Sequence, residues 1–384
     1  MRVLYLSTYN VKCGIATYTQ ELRSHISTDN DIFPLPEKDA IAEKQIDLDK
    51  ELTKLTHLVK DFDIVHIQHE HGLFIGNGDE TDAVSRFGNL LKVLIKENKR
   101  VFVTFHSDPV FWESRWRFDT ELLLKKLLSR VWKGEVSKWF QPRYNVTAIV
   151  HTKRTKQEFL DSGFHEDSVE VVPHGVVSRE VKFSPIKPDV EINLSIFGFI
   201  SDYKGYDVAL RALQLLPRNY NLICMGGRHP SSTGDEYTQI LGAAKRLDRE
   251  VVECKLQDIY SLVSDRVTIT GYLDKAQADK MHKKTHICLA PYTDKTLSGS
   301  GALTWSLTSG CPVIASDIPS FKTIDDEYQC MHLFKTDAFH ELAWSVKRVV
   351  SDVNYQRALV DGATNYAEQL SWSNVAETHE KLYK

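Results

Sequence analysis

The stretch Leu297–Ser316, LSGSGALTWSLTSGCPVIAS, decides the fold of this chain. It opens with small residues, Ser298 to Gly301, continues into a predicted helix over 302–309, and ends in an apolar strand over 313–315. A Gly/Ser turn that leads into a helix directs backbone N–H groups and the positive helix end at the space in front of it. The pattern is typical of a phosphate-binding turn, but also of an ordinary strand–turn–helix connection. The stretch alone leaves both interpretations open.

Length and composition narrow the class of protein. A chain of 384 residues favours two domains with sizeable cores, and the net charge of -4 gives no support for a nucleic-acid partner. No apolar run reaches the roughly 20 residues of a membrane span, and the start, MRVLYLSTYN, is typical of a first strand, not of a signal peptide. The six cysteines are scattered without paired metal spacing. We therefore expect a cytoplasmic protein.

Strands and helices alternate in two successive series. This pattern predicts an α/β chain with two doubly wound, Rossmann-like parallel-sheet domains facing a cleft. We place the first domain at 1–178, a proline-containing linker at 179–191 and the second domain at 192–368. In the first domain, strand, loop and helix meet at Gly14, which indicates a second candidate phosphate turn.

Histidines follow two strands of the first domain. His66, His69 and His71 lie in IVHIQHEHG, where their spacing does not fit a helical zinc motif and strand alternation places His66 and His69 on different faces. Loop polarity or pocket lining is the favoured interpretation and metal binding the weaker one. His106 follows the strand VFVTF, at the sheet edge where open α/β sheets hold their ligands. A loop-capping histidine is the alternative.

The segment 113–143 is basic and rich in aromatic residues. It predicts either a long helix whose Lys and Arg snorkel or a peripheral contact with an anionic membrane or a lipid-linked acceptor.

Lys204 lies in Asp-Tyr-Lys-Gly at the start of the first helix of the second domain. It would add a point charge beside a phosphate held by helix ends. With preorganised N–H donors, such a lysine would stabilise a leaving nucleoside diphosphate in glycosyl transfer. A solvated lysine paired with Asp202 or Asp207 is the alternative.

Three other enzyme classes lack their sequence signatures. The chain contains no Gly-x-x-x-x-Gly-Lys-Ser/Thr loop, no Gly-x-Ser-x-Gly elbow and no Gly-x-Gly-x-x-Gly fingerprint. P-loop NTPases, serine hydrolases and dinucleotide-binding enzymes are therefore disfavoured.

Nine stretches occur together in a recognisable order. They are KCGIATYT, HIQHEHGLF, TFHSD, VVPHGV, GFISDYKGYDVALRAL, GGRHP, ITGYL, APYTDKTLSGSGALTWSLTSGCPVIASD and the closing SW…LYK. In this order, over nearly the whole chain, the sequence resembles the retaining GT-B glycosyltransferases of family 4.

The resemblance implies a GT-B fold whose last helix, 369–384, packs back on the first domain. It implies a nucleotide-sugar donor, a saccharide or lipid-linked acceptor, a role in polysaccharide biosynthesis, and neither cofactor nor metal. His106 and Lys204 are the implied catalytic residues, and the acceptor side is assigned to His69, Glu70 and His71. The implied donor-binding residues are Gly14, Lys204, Gly271, Tyr272, Leu273, Ser298, Gly299, Ser300 and Gly301.

Two departures from the family pattern stand out. Leu297 and Trp305 occupy the positions of two family glutamates that contact the donor sugar and the ribose, and the basic partner of the lysine is missing at Phe199 or Ser201. A retaining glycosyltransferase is the leading hypothesis. The alternatives are a catalytically weak GT-B partner protein that binds sugar or nucleotide, or a phosphorylase.

Overall fold

The structure is a computed structural model. It describes residues 1–11, 13–36, 48–74, 80–106, 134–177, 179, 182–188, 190–227, 263–295, 297 and 299–384. The described chain divides into two compact units. The first comprises Met1–Gly175, Thr296–Gly299 and Leu370–Lys384, and the second comprises Val176–Lys295 and Ser300–Gln369.

The first unit is built on a parallel sheet of six described strands in the order β2-β1-β3-β4-β5-β6. These strands are β1 (Arg2–Ser7), β2 (Asp29–Pro34), β3 (Ile64–His69), β4 (Arg100–Phe105), β5 (Val146–Val150) and β6 (Val169–Val171). Its described helices are α1 (Gly14–His25), α2 (Leu48–Leu58), α3 (Glu80–Lys96), α4 (Lys153–Asp161) and the last helix, α11 (Trp372–Tyr383). Every residue of β3 is buried, as expected for a central strand covered by helices on both faces.

The second unit repeats the plan with six described parallel strands in the order β12-β11-β10-β7-β8-β9. They are β7 (Ile192–Phe197), β8 (Tyr220–Met225), β9 (Val267–Ile269), β10 (Ile287–Ala290), β11 (Val313–Ser316) and β12 (His332–Phe334). The helices are α5 (Tyr206–Gln214), α6 (Lys275–His282), α7 (Gly301–Leu307), α8 (Pro319–Tyr328), α9 (Phe339–Ser351) and α10 (Val353–Gln369). Apolar side chains of strands and helices form one buried core in this unit.

The order of the strands marks a switch point in each sheet. In the first unit β1 lies between β2 and β3, and in the second β7 lies between β8 and β10. Successive crossover connections leave in opposite directions at these points, which opens a crevice outside the carboxyl ends of the strands. The residues that follow β1, β3, β7 and β10 are therefore the ones to examine for function.

Predicted element ends agree with the structure to within a few residues, and the differences have local causes. The predicted strand Ile287–Tyr292 ends at Ala290, because Pro291 has no N–H to donate to a neighbouring strand. The predicted helix over 302–309 ends at Leu307, where Thr308 donates its hydroxyl to the Trp305 carbonyl. The predicted helix near 239–247 and residues 113–133 of the basic segment lie outside the described residues.

The last helix, α11, belongs to the first unit, as the resemblance implied. Ser371 caps it by accepting a hydrogen bond from the Asn374 N–H at 3.4 Å. The Tyr383 hydroxyl lies 2.9 Å from the Tyr5 hydroxyl and 2.5 Å from His66 Nδ1. This buried network ties the end of the helix to β1 and β3. None of the helices in the described ranges combines the length and apolar character that a membrane span requires.

We expect Tyr383→Phe to destabilise the first unit by about 1–3 kcal/mol, because it leaves buried polar partners on β1 and β3 unpaired. Chemical denaturation would measure the loss. Glu377→Gln is the control, because on the same helix it removes only an exposed ion pair with Lys381. Equal stability of Tyr383→Phe and wild type would contradict the importance of this network.

Candidate functional site

Gly14 begins α1 at the switch point of the first sheet. A Cβ built on Gly14 would meet no atom within 4 Å, so packing does not require a glycine here. The residue before it, Cys13, caps the helix with backbone only, since its side chain makes no cap hydrogen bond. This twelve-residue helix therefore begins without a side-chain cap from Cys13, and the first N–H groups of a helix are those that an anion can bind.

His106 follows β4 and belongs to a group of rings around Tyr18. Its Nε2 lies 2.9 Å from Gln68 Oε1, and its ring meets the Tyr18 ring at 4.8 Å, edge to face. His151 and His174 follow β5 and β6, with ring centroids 5.5 Å and 5.1 Å from that of Tyr18. The sequence analysis missed these two histidines, although the signal used for His106, a histidine after a parallel strand, applies to both.

The imidazoles of this group are held in their neutral form. Burial keeps the pKa of His106 well below its usual range, and the neighbouring His151 and His174 lower it further. Burial also lowers the pKa of His174 to about 3. A neutral imidazole can accept a hydrogen bond from a hydroxyl group at neutral pH, which a charged one cannot.

Of the predicted acceptor-side residues, His69 ends β3, and Glu70 and His71 follow it. His66 faces α11, whereas the His69 ring packs among Phe74, Phe87 and Phe105 on the other face, so the predicted alternation is confirmed. The Glu70 carbonyl accepts the Leu73 N–H at 3.1 Å. The side chain of His71 lies outside the described residues.

Lys204 lies in the loop between β7 and α5 and is only 4% exposed. Its Nζ donates a hydrogen bond to the Tyr292 hydroxyl, and burial lowers its pKa. Of the side chains that the structure describes, no carboxylate pairs with it. A solvated Lys204 is therefore wrong, and so is its pairing with Asp207; the Asp202 side chain lies outside the described residues.

Gly198, directly after β7, packs closely against this ammonium. With φ of +108° it has a conformation that side chains rarely adopt, and a Cβ there would lie 3.2 Å from Lys204 Nζ and 3.1 Å from Ala302 Cβ. The position of the Lys204 side chain therefore depends on a glycine here, because a larger residue would crowd both Lys204 and Ala302.

The predicted Gly/Ser loop is only partly described. Ser300 caps α7, with its Oγ accepting the Leu303 N–H at 3.2 Å, and Gly301 begins that helix. Gly299 lies within the first unit, where an added Cβ would be 4.0 Å from the His151 ring. Ser298 lies outside the described residues. The structure connects Ser300 to Lys204 through Tyr292, whose hydroxyl lies 3.1 Å from Ser300 Oγ.

The predicted donor-binding residues Gly271, Tyr272 and Leu273 follow the end of β9. Gly271 has φ of +68°, and the Tyr272 backbone passes so near Gly227, after β8, that a Cβ on Gly227 would lie 2.7 Å from the Tyr272 nitrogen. Tyr272 is 49% exposed, and its ring stacks on Phe199 with centroids 6.4 Å apart. Leu273 is half-buried beside it. The missing basic partner at Phe199 is thus replaced by an aromatic contact.

Trp305 fills its position by packing rather than by hydrogen bonding. Its ring stacks on Phe197 at 5.0 Å, and the Arg179 guanidinium lies over it at 4.2 Å. Asp279 holds Arg179 in an ion pair of 2.7 Å. A carboxylate at Trp305 would lose the stacking on Phe197, so the family glutamate and this local packing exclude each other.

Asp207 is the second residue of α5 and is 2% exposed. Burial raises its pKa to about 6, against the opposing effects of the Val208 N–H and Arg211. Because the folded state favours the protonated carboxyl, this group makes the fold less stable as the pH rises from 4 through 6.

We expect Asp207→Asn to be more stable than wild type by about 2–3 kcal/mol at pH 8 and equal to it near pH 3.5. Urea unfolding at several pH values would measure the difference. Asp326→Asn, an exposed carboxylate in the same unit, is the matched control. A stability gain that does not depend on pH would contradict the assignment to Asp207 ionisation.

A protein-family model and several solved structures are similar to this chain. Residues 192–352 match the family model described as Glycosyl transferases group 1. Anabaena HepE in complex with UDP is similar over 100% of this chain and 99% of its own, with a TM-score of 0.68 and 11% identity. The chain has a GT-B fold. The predicted resemblance and fold class are thereby confirmed.

Two further GT-B structures are similar over the whole chain. Sucrose-phosphate synthase from Thermosynechococcus elongatus has a TM-score of 0.66 and 15% identity, covering 100% of this chain and 98% of its own. The lipopolysaccharide outer core galactosyltransferase WaaB, in its apo form, has a TM-score of 0.62 and 13% identity, covering 100% and 99%. No curated protein matches the chain in sequence.

Proposed function

We propose that the chain is a retaining glycosyltransferase of family 4 that moves a hexose from a nucleoside-diphosphate sugar to a saccharide or lipid-linked acceptor. The observation that carries this is Lys204, a buried ammonium that bonds to the Tyr292 hydroxyl and has no carboxylate partner among the described side chains. A buried cation without a counter-ion is costly unless an anion completes its site. A leaving diphosphate is such an anion.

The other expected residues receive roles in the same reaction. Gly14 and the 299–301 loop would contact the diphosphate, 271–273 the base, His106 the transferred sugar, and 69–71 the acceptor. As the sugar bond breaks, negative charge develops on the diphosphate, and fixed donors near that charge stabilise the transition state more than the ground state. The proposal includes no metal, and no three His, Cys, Asp or Glu side chains of the described residues form a metal-binding group.

UDP-glucose is the donor to test first, because HepE has been solved with UDP-glucose as well as with UDP. The proposed acceptor is one used in polysaccharide biosynthesis in the cytoplasm. There we propose that the protein is either free or in peripheral contact with a membrane through 113–143. Only residues 134–143 of that segment are described.

We expect Lys204→Ala to fold normally and to reduce turnover of the accepted nucleotide-sugar by about 10²–10³-fold. The measurement combines a transfer assay with thermal-shift binding of UDP, GDP, ADP, CMP and inorganic phosphate. Lys283→Ala, an exposed lysine of the same unit, is the matched control. Wild-type turnover in Lys204→Ala would refute the catalytic role.

The same panel separates the alternatives. Nucleotide binding without transfer from any nucleotide-sugar would indicate a catalytically weak GT-B protein. A response to phosphate but to no nucleotide would indicate a phosphorylase.

A further inference from the structure

Lys204, Tyr292 and Ser300 form a continuous chain of hydrogen bonds inside the second unit. Lys204 Nζ bonds to the Tyr292 hydroxyl, which lies 3.1 Å from Ser300 Oγ, and Ser300 Oγ accepts the Leu303 N–H at 3.2 Å. Tyr292 is 1% exposed and follows β10, the strand that pairs with β7. The sequence analysis assigned no role to Tyr292.

The donors available fix the direction of each hydrogen bond among Lys204, Tyr292 and Ser300. An ammonium group has only donors, so the Tyr292 oxygen must accept from Lys204. The single phenolic hydrogen then needs an acceptor, because an unpaired buried hydroxyl is costly. Ser300 Oγ is the hydroxyl oxygen within reach, so Tyr292 donates to Ser300.

This direction uses both lone pairs of the Ser300 oxygen. One accepts the Tyr292 O–H and the other the Leu303 N–H. The Ser300 hydroxyl hydrogen is therefore left to donate to a group other than Tyr292 and Leu303. Ser300 is half-buried, so a ligand can reach it. Successive donation also polarises the bonds, so the Lys204 charge strengthens the Ser300 donor.

We infer that Tyr292 is a positioning residue that orients the Ser300 hydroxyl as a donor to the same phosphate oxygens that Lys204 attracts. The inference rests on the proposed function, since that function supplies the diphosphate. We call this chain of hydrogen bonds from Lys204 through Tyr292 to Ser300 the relay. Burial keeps the pKa of the Tyr292 phenol above its usual range, so the phenol retains the hydrogen that it donates to Ser300.

Tyr292→Phe tests the relay because it keeps the ring that packs on Phe321 and Tyr203 and removes only the hydroxyl. We expect Tyr292→Phe and Ser300→Ala each to weaken UDP binding about tenfold in calorimetry. Because both act through one donor, the double variant should bind UDP within about twofold of the weaker single variant. Ser300→Thr, which keeps the hydroxyl, should bind within about threefold of wild type. Independent losses that multiply in the double variant would overturn the relay.

Two controls separate the relay from general damage. Tyr366→Phe removes another buried phenol of the same unit, and Ser306→Ala removes a hydroxyl of α7 that bonds the Ala302 carbonyl. We expect both variants to bind UDP as wild type does. A loss in Ser306→Ala equal to that in Ser300→Ala would show that α7 itself, not the relay, is what matters.

A second readout does not depend on the proposed function. The Lys204 ammonium can be titrated by NMR in the ligand-free protein, and we expect Tyr292→Phe to lower its pKa because the ammonium loses one acceptor and keeps only the Tyr203 phenol. An unchanged titration would overturn the relay. If the titration shifts but wild type binds neither UDP nor another nucleotide, the relay stands, and the proposed function fails.

Discussion

The parallel pairing of β7 with β10 is the constraint on which the second unit depends. The register places Leu194 beside Ile287, so both strands deliver their following loops to the same edge of the sheet. One loop carries Lys204 and the other carries Tyr292. Because the pairing is internal to a buried sheet, the ammonium and the phenol meet without help from a ligand, so the proposed anion site would be preorganised.

The first unit differs from the second in the charge at the carboxyl ends of its strands. Its sheet edge presents imidazoles after three strands, His106, His151 and His174, and burial keeps them uncharged. A neutral edge with hydrogen-bonding capacity suits hydroxyl-bearing molecules, whereas the second unit presents a cation that suits phosphate. The chemical character of each sheet edge thus follows from which residue types come after its strands.

The alternation of apolar strands and amphipathic helices was sufficient to predict the two doubly wound sheets, whereas the anion site at the Gly/Ser loop and Lys204 stays a prediction. Tyr292 was not predictable, because an aromatic residue after an apolar strand has the same sequence pattern as a core residue. The contact of Trp305 with Phe197 and Arg179 joins distant parts of the chain. Strand β2, with the polar sequence DNDIFP, shows no alternation and is defined by its pairing with β1.

The order of synthesis gives the last helix a further consequence. The core of the first unit is built from residues before 175, yet the partner of the buried Tyr5 and His66 groups is Tyr383. During translation the first sheet therefore lacks its last helix, and Tyr5 and His66 lack their Tyr383 partner, while the whole second unit is made. Domains generally fold as they emerge, but this one can reach its final hydrogen bonding only after the other has been synthesised.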